Sequence, residues 1–203
     1  MIRKFALSAA VALASMMPAV LTAEETASDV EITEMQQGNP DASVTVIEYA
    51  SYTCPHCASF HANQYLDLKA DYIDTGKINF IYREVYFDRY GLWASLVARC
   101  GGAEKFFGVS ELIYAGQKDW THGSPVEIVA SLRKIGKVAG LTDESMDACL
   151  SDADKAKALF AWYQEHAERD DISGTPSFIV NGEKHGNLSS EEFAELLDAK
   201  LAE

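Results

Sequence analysis

A chain of 203 residues, 48% hydrophobic and 24% charged, is long enough to bury a substantial core and lacks the low-hydrophobicity signature of disorder. Its 31 acidic and 17 basic residues give a formal net charge of −14, which repels phosphate backbones and anionic lipid and argues against nucleic-acid binding. At this length one domain, with or without an insertion, is expected.

In chain order, the first segment reads as a targeting signal. Arg3 and Lys4 make a positive start, an apolar stretch covers residues 5–17, Pro18 breaks it, and small residues lead to a cut after Ala23. Residues 1–23 are therefore expected to be a signal peptide. The competing reading, a retained membrane anchor, is weakened by Ser8, Ser15, Pro18 and Thr22. Arg3 and Lys4 are the segment's only charges, so cleavage takes the net charge from −14 to −16. Export to the periplasm would place Cys54, Cys57, Cys100 and Cys149 where disulfides persist.

Past an acidic start, residues 30–35 are predicted as a short edge strand and Gly38-Asn39-Pro40-Asp41 as a turn. Residues 43–50 (SVTVIEYA) form a strong strand signal that runs straight towards Cys54. A helix is predicted over residues 55–74, stopped at Gly76, and a second strand over 77–85 (KINFIYREV). Strand, helix and strand make a parallel βαβ unit. From about 90 to 170 the pattern is helical, interrupted by glycine pairs and clusters. Ser124-Pro125-Val126-Glu127 and Thr142-Asp143-Glu144 mark two helix starts there. A strand at 176–180, the hairpin pair Asn181-Gly182, a strand at 183–185 and a helix capped by residues 189–192 complete the chain. The fold class is α/β: a thioredoxin-like fold with a helical insertion, in one domain spanning residues 24–203.

The chemistry centres on Cys54-Pro55-His56-Cys57. Cys54 ends a strand and opens a helix with proline at its first position, so its sulfur meets unpaired backbone N–H groups and the positive end of the helix dipole. A thiolate is favoured there, and His56 can add a donor or a positive charge beside it. Cys57, one turn on, lies on the same side and can close a disulfide. A tenfold stronger acid at Cys54 stabilises the reduced form by about 1.36 kcal/mol, roughly 30 mV for a two-electron couple, so donation of the disulfide is the favoured direction. The alternative, half of a zinc site, needs a second pair at ligand spacing, and Cys100 and Cys149 do not supply one.

The CPHC motif, the position of the insertion and the segment Gly174-Thr175-Pro176 resemble the DsbA-like oxidoreductases of the thioredoxin superfamily, over residues 29–201. The resemblance implies that Cys54 is the nucleophile that forms mixed disulfides and that Cys57 resolves them. It also implies a cis-proline at Pro176 facing the site, with Thr175 contacting bound peptide; from the residues alone an ordinary trans turn stays open. Glu48, six residues before Cys54, matches the family's buried acid. Val44, Val46, Glu48 and Ala50 alternate onto one face, which would set the Glu48 carboxyl to shuttle protons for Cys57; a face open to water is the other reading. The implied partners are exported polypeptides with thiol pairs and a DsbB-type membrane reoxidant. No cofactor and a monomer are expected.

Cys100 and Cys149 both fall in the helical block and read as a structural bridge, or else as two buried thiols. His61, seven residues after Cys54 on the same helix, reads as a surface or packing residue, the alternative being that it borders the active site. Tyr82, Tyr86, Phe87, Tyr90 and Trp93 are expected to fill the joint between sheet and insertion, while Trp120, Thr121 and His122 read as loop. Two other functions compete with disulfide donation. A disulfide isomerase or reductase would use the same motif at a lower potential, although dedicated isomerases of this superfamily usually carry an N-terminal dimerisation domain and only about 20 mature residues precede the main strand here. A periplasmic soft-metal-binding or chaperone module would hold its ion on Cys54, His56 and Cys57.

Overall fold

The computed structural model describes residues 30–203; the expected signal peptide and its cut lie outside them. Five strands form one sheet in the order β1-β3-β2-β4-β5. β2 (Val44–Ala50) and β3 (Ile78–Glu84) pair in parallel at its centre. β1 (Met35–Gly38) lies antiparallel to β3 at one edge, and β4 (Ser177–Val180) and β5 (Glu183–His185) extend the other edge antiparallel.

The first strand is displaced from the β-branched run that predicted it. Pairing uses Met35–Gly38, with Met35 opposite Tyr82. The preceding residues are held by side chains instead: Glu34 accepts from the Arg83 guanidinium at 2.8 and 3.0 Å, and the Thr33 carbonyl accepts from Arg99. Gly38 closes the strand at φ +89°, where an added Cβ would lie 2.4 Å from the Ile78 carbonyl oxygen.

The single helix expected over 55–74 is three pieces. α1 (Pro55–Ala62) ends at Asn63, whose side-chain amide takes the Ser59 carbonyl at 2.7 Å; α2 (Gln64–Leu68) then restarts and runs into a π-helical turn, Lys69–Ile73. The asparagine competes for a backbone acceptor and bends the path there.

Between β3 and β4 the chain is helical: α3 (Arg89–Arg99), α4 (Ala103–Ala115), α5 (Gln117–Trp120), α6 (Pro125–Val138), α7 (Asp143–Ser151) and α8 (Ala153–Arg169). The Ser124/Glu127 capping box opens α6 and Thr142 caps α7. α9 (Ser190–Leu201) starts from the Ser189/Glu192 capping box. Trp120, expected in a loop, is buried in α5 with its indole N–H on the Ile113 carbonyl at 2.8 Å. Phe87, expected in the joint, is 59% exposed.

β2 is buried on both faces. Val44, Val46, Glu48 and Ala50 are fully buried on the main-core face, where Phe60, Phe178, Phe193, Val97 and Ile113 pack. Ile47 and Tyr49 face a second cluster with Ile179, Val85, Tyr163 and Ile172. Among the described residues no helix is long and apolar enough to cross a membrane.

Candidate active site

β2 delivers the chain to the site through a tight turn, in which the Cys54 N–H donates to the Ser51 carbonyl at 3.0 Å. Cys54 then caps α1 in an extended conformation, with Pro55 at the first helical position and the Ala58 N–H returning to the Cys54 carbonyl at 3.1 Å. An insertion residue holds this loop from behind: the Gln117 amide donates to the carbonyls of Tyr52 and Cys54 at 2.8 and 2.9 Å. On the other side the Thr53 hydroxyl donates to Asp88, the residue that caps α3.

Both cysteines of the motif are free and buried, Cys54 8% exposed and Cys57 not at all. Their acidities are split. Cys54 is pushed down from 9.0 to about 5, chiefly by the hydrogen bond from the Cys57 thiol. Partial burial opposes this, while Thr175 and the backbone N–H groups of Cys57 and His56 assist it. Cys57 is pushed far up, first by burial, then by its hydrogen bond to Cys54 and by the charge on Glu48. Near neutral pH the pair is one thiolate and one thiol. His56 acts on the sulfur through its backbone N–H; its side chain is exposed and is not among the leading causes.

The Thr175–Pro176 peptide bond is cis. The Thr175 carbonyl lies 3.4 Å from Cys54 Sγ and accepts from the thiol form. The Thr175 side chain favours the thiolate form of both cysteines, and its hydroxyl oxygen is buried with no hydrogen-bond partner among the described residues.

Glu48 is fully buried, and both its oxygens lie against His61 Nε2, at 3.0 and 3.1 Å. His61 is thus a packing residue, and one that touches the acid beside Cys57. Its ring stacks on Tyr114 of α4 at 4.2 Å between centroids and 14° between planes. Cys100 and Cys149 are bridged between the end of α3 and α7, with Cα atoms 5.8 Å apart. Among the described residues no three His, Cys, Asp or Glu side chains gather as a metal set.

Sequence reasoning missed Gln117 entirely and gave His61 no contact with Glu48. A glutamine in a four-residue helix carries no periodic signal. The spacing of Cys57 and His61, four residues apart on one helix face, was legible, but not the side of that helix on which Glu48 lies.

A family model described as Thioredoxin matches residues 30–199. A Rickettsia bellii protein named "Putative protein-disulfide oxidoreductase" is 35% identical over 171 residues, 84% of this chain. The chain spans 65% of that relative's length. "Disulfide bond formation protein D" of Bacillus subtilis is 25% identical over 81% of this chain and 75% of its own. Among solved structures, alpha-DsbA1 of Wolbachia pipientis superposes with a TM-score of 0.78 at 26% identity, covering 83% of this chain and 91% of that one. With a family model matched over residues 30–199, a CPHC helix start, a cis-proline and a helical insertion, the chain belongs to the thioredoxin family and is similar to DsbA proteins within it.

Proposed function

We propose that this protein is an exported thiol-disulfide oxidoreductase, a dithiol oxidase that donates the Cys54–Cys57 disulfide to folding proteins in the periplasm. The observation that carries the reading is the split acidity of the pair, with Cys54 at about 5 and Cys57 far above it. A low-pKa thiolate is a good leaving group and stabilises the reduced enzyme, so the oxidised enzyme gives its disulfide away.

In the forward reaction a client thiolate attacks Cys54 Sγ, the Cys54–Cys57 bond breaks and Cys57 leaves with the electron pair. A second client thiolate then attacks the client sulfur of the mixed disulfide and Cys54 leaves as thiolate. The client has lost two electrons and the enzyme has gained them. Thr175 and Pro176 would present backbone to the client's extended segment, and Glu48 would exchange the proton of Cys57. Cys100–Cys149 would serve as a structural bridge in the insertion. Turnover would need a DsbB-type membrane reoxidant, and the protein would work as a monomer.

The test is the equilibrium of the Cys54–Cys57 couple against glutathione, paired with oxidation of a reduced test protein. An oxidising potential and loss of turnover in Cys54→Ala are expected. A potential near the reducing value of about −270 mV typical of thioredoxin would overturn the oxidase reading in favour of a reductase. Faster refolding of a scrambled protein than oxidation of a reduced one would favour an isomerase.

A further inference from the structure

His61 is a buried titratable side chain to which the chemistry above gives no task. It follows Cys57 by one turn of α1, and its Nε2 meets both oxygens of Glu48. Every element packed on the ring contributes a polar or titratable group: Glu48 from β2, Tyr82 from β3 at 6.0 Å between centroids, Tyr65 from α2 at 4.6 Å and Tyr114 from α4 at 4.2 Å. The tyrosine hydroxyls are engaged elsewhere, Tyr82 with Tyr114 at 2.6 Å and Tyr65 with Gln37. The second ring nitrogen, Nδ1, is buried and has no hydrogen-bond partner among the described residues. Yet the ring also forms part of the wall of a surface groove of about 220 Å³ between α1–α2 and α4, where Ala58, Leu66, Glu111 and Tyr114 are its neighbours.

These contacts meet a problem posed by Glu48. When the disulfide is donated, Cys57 leaves as a buried thiolate beside a carboxyl group and must take a proton; when the disulfide is re-formed, that proton must depart. Glu48 is itself sealed from solvent, so it can serve once and then has to be recharged through something else. The imidazole touches the carboxyl group and itself forms part of the groove wall.

We infer that His61 is a positioning residue that passes protons between Glu48 and water in the groove. During donation Glu48 gives its proton to Cys57 Sγ, His61 Nε2 gives its proton to Glu48, and Nδ1, buried and unpartnered among the described residues, takes one from a water that enters past the groove wall. During reoxidation the same three transfers run backwards, and the ring returns to its starting tautomer, so each full cycle leaves His61 unchanged. The inference rests on the thiol-disulfide chemistry proposed for Cys54 and Cys57 and holds for either direction of electron flow.

The experiment follows the reduction of the oxidised protein by dithiothreitol in single turnover, with imidazole or pyrazole added in increasing amounts. Pyrazole has the same shape as imidazole but is a far weaker base. In His61→Ala the rate is expected to fall about tenfold, at the low end of positioned acid–base effects, and to climb with imidazole but not with pyrazole. The unchanged protein should be indifferent to both. A rate equal to that of the unchanged protein, equal rescue by both additives, or no rescue by either would each overturn the relay. Should His61→Ala not fold, His61→Gln keeps a donor to Glu48 without a titratable nitrogen. It should show the same fall with the Cys54 thiolate titration unmoved, and an undiminished rate would sink the idea. Failure of the oxidase reading would appear instead as a reducing potential at glutathione equilibrium, with the imidazole effect intact.

Discussion

The Gln117 side-chain amide donates to the carbonyl oxygens of Tyr52 and Cys54, at 2.8 and 2.9 Å, from a position 5% exposed. The helical insertion therefore grips the loop that carries the nucleophile. Replacing Gln117 with leucine leaves two buried acceptors without their donor and should cost about 1–3 kcal/mol, read as a lower urea midpoint. Because the Cys54 carbonyl also anchors α1, the variant's thiolate should titrate at higher pH. A wild-type midpoint together with a wild-type titration would show that the contact is incidental.

The Cys54 thiolate absorbs in the ultraviolet, so its titration can be followed directly in the reduced protein, and a midpoint of about 5 is expected. The folded pKa lies below the free-thiol value of 9.0, so the stabilisation of the reduced fold is complete above pH 9. It shrinks as pH falls and is gone below about 5. At pH 7 it amounts to about 2.7 kcal/mol, roughly 60 mV, and partial access of the sulfur to water makes these upper figures. The oxidised and reduced proteins should accordingly converge in denaturant stability as pH is lowered from 7 towards 5. A gap that widens instead would contradict this assignment.

Glu84 and Arg99 form a buried ion pair between β3 and α3, with contacts of 2.6 and 2.7 Å and 1% and 2% side-chain exposure; Ser95 adds a third bond to the carboxylate. Glu84→Leu strands the guanidinium and is expected to cost about 3–5 kcal/mol, whereas Glu84→Leu with Arg99→Met should recover much of that loss. Part of the loss should persist, because Arg99 also holds the Thr33 carbonyl. Additive losses in a double-mutant cycle would deny the coupling.

Removing the insertion's bridge by Cys100→Ala with Cys149→Ala opens a loop with a sequence separation of 49. In the chain-entropy account this costs about 4 kcal/mol, measurable as a fall in thermal midpoint that dithiothreitol reproduces in the unchanged protein. The Cys54 titration should stay put. If the reductant shifts the midpoint of the double variant as well, some part of the effect belongs to Cys54 and Cys57.

Local features of this protein were legible wherever one residue type enforces one conformation. Pro55 after Cys54, the Ser124, Thr142 and Ser189 caps, and Asn181-Gly182 between β4 and β5 all stand where the sequence puts them. The alternation of Val44, Val46, Glu48 and Ala50 foretold a buried acid, because a strand has only two faces. Where the sequence misled, a distant group had won. Residues 30–34 favour a strand by composition but are tied down by Arg83 and Arg99, and the long helix is bent by a side chain that outbids the backbone.

The sequence by itself determined a helix that opens on a cysteine with proline behind it, and hence which sulfur is the thiolate; those causes lie within four residues. Only the tertiary structure decided what surrounds that sulfur. Thr175 reaches Cys54 across 121 positions, Gln117 reaches its carbonyl across 63, and His61 meets Glu48 from a different element. Such contacts depend on how elements pack, and packing is set by the shape of the whole core rather than by any local propensity. The CPHC motif therefore carries the reagent and the chief causes of its acidity, and the sheet with its insertion supplies the contacts that hold and surround it.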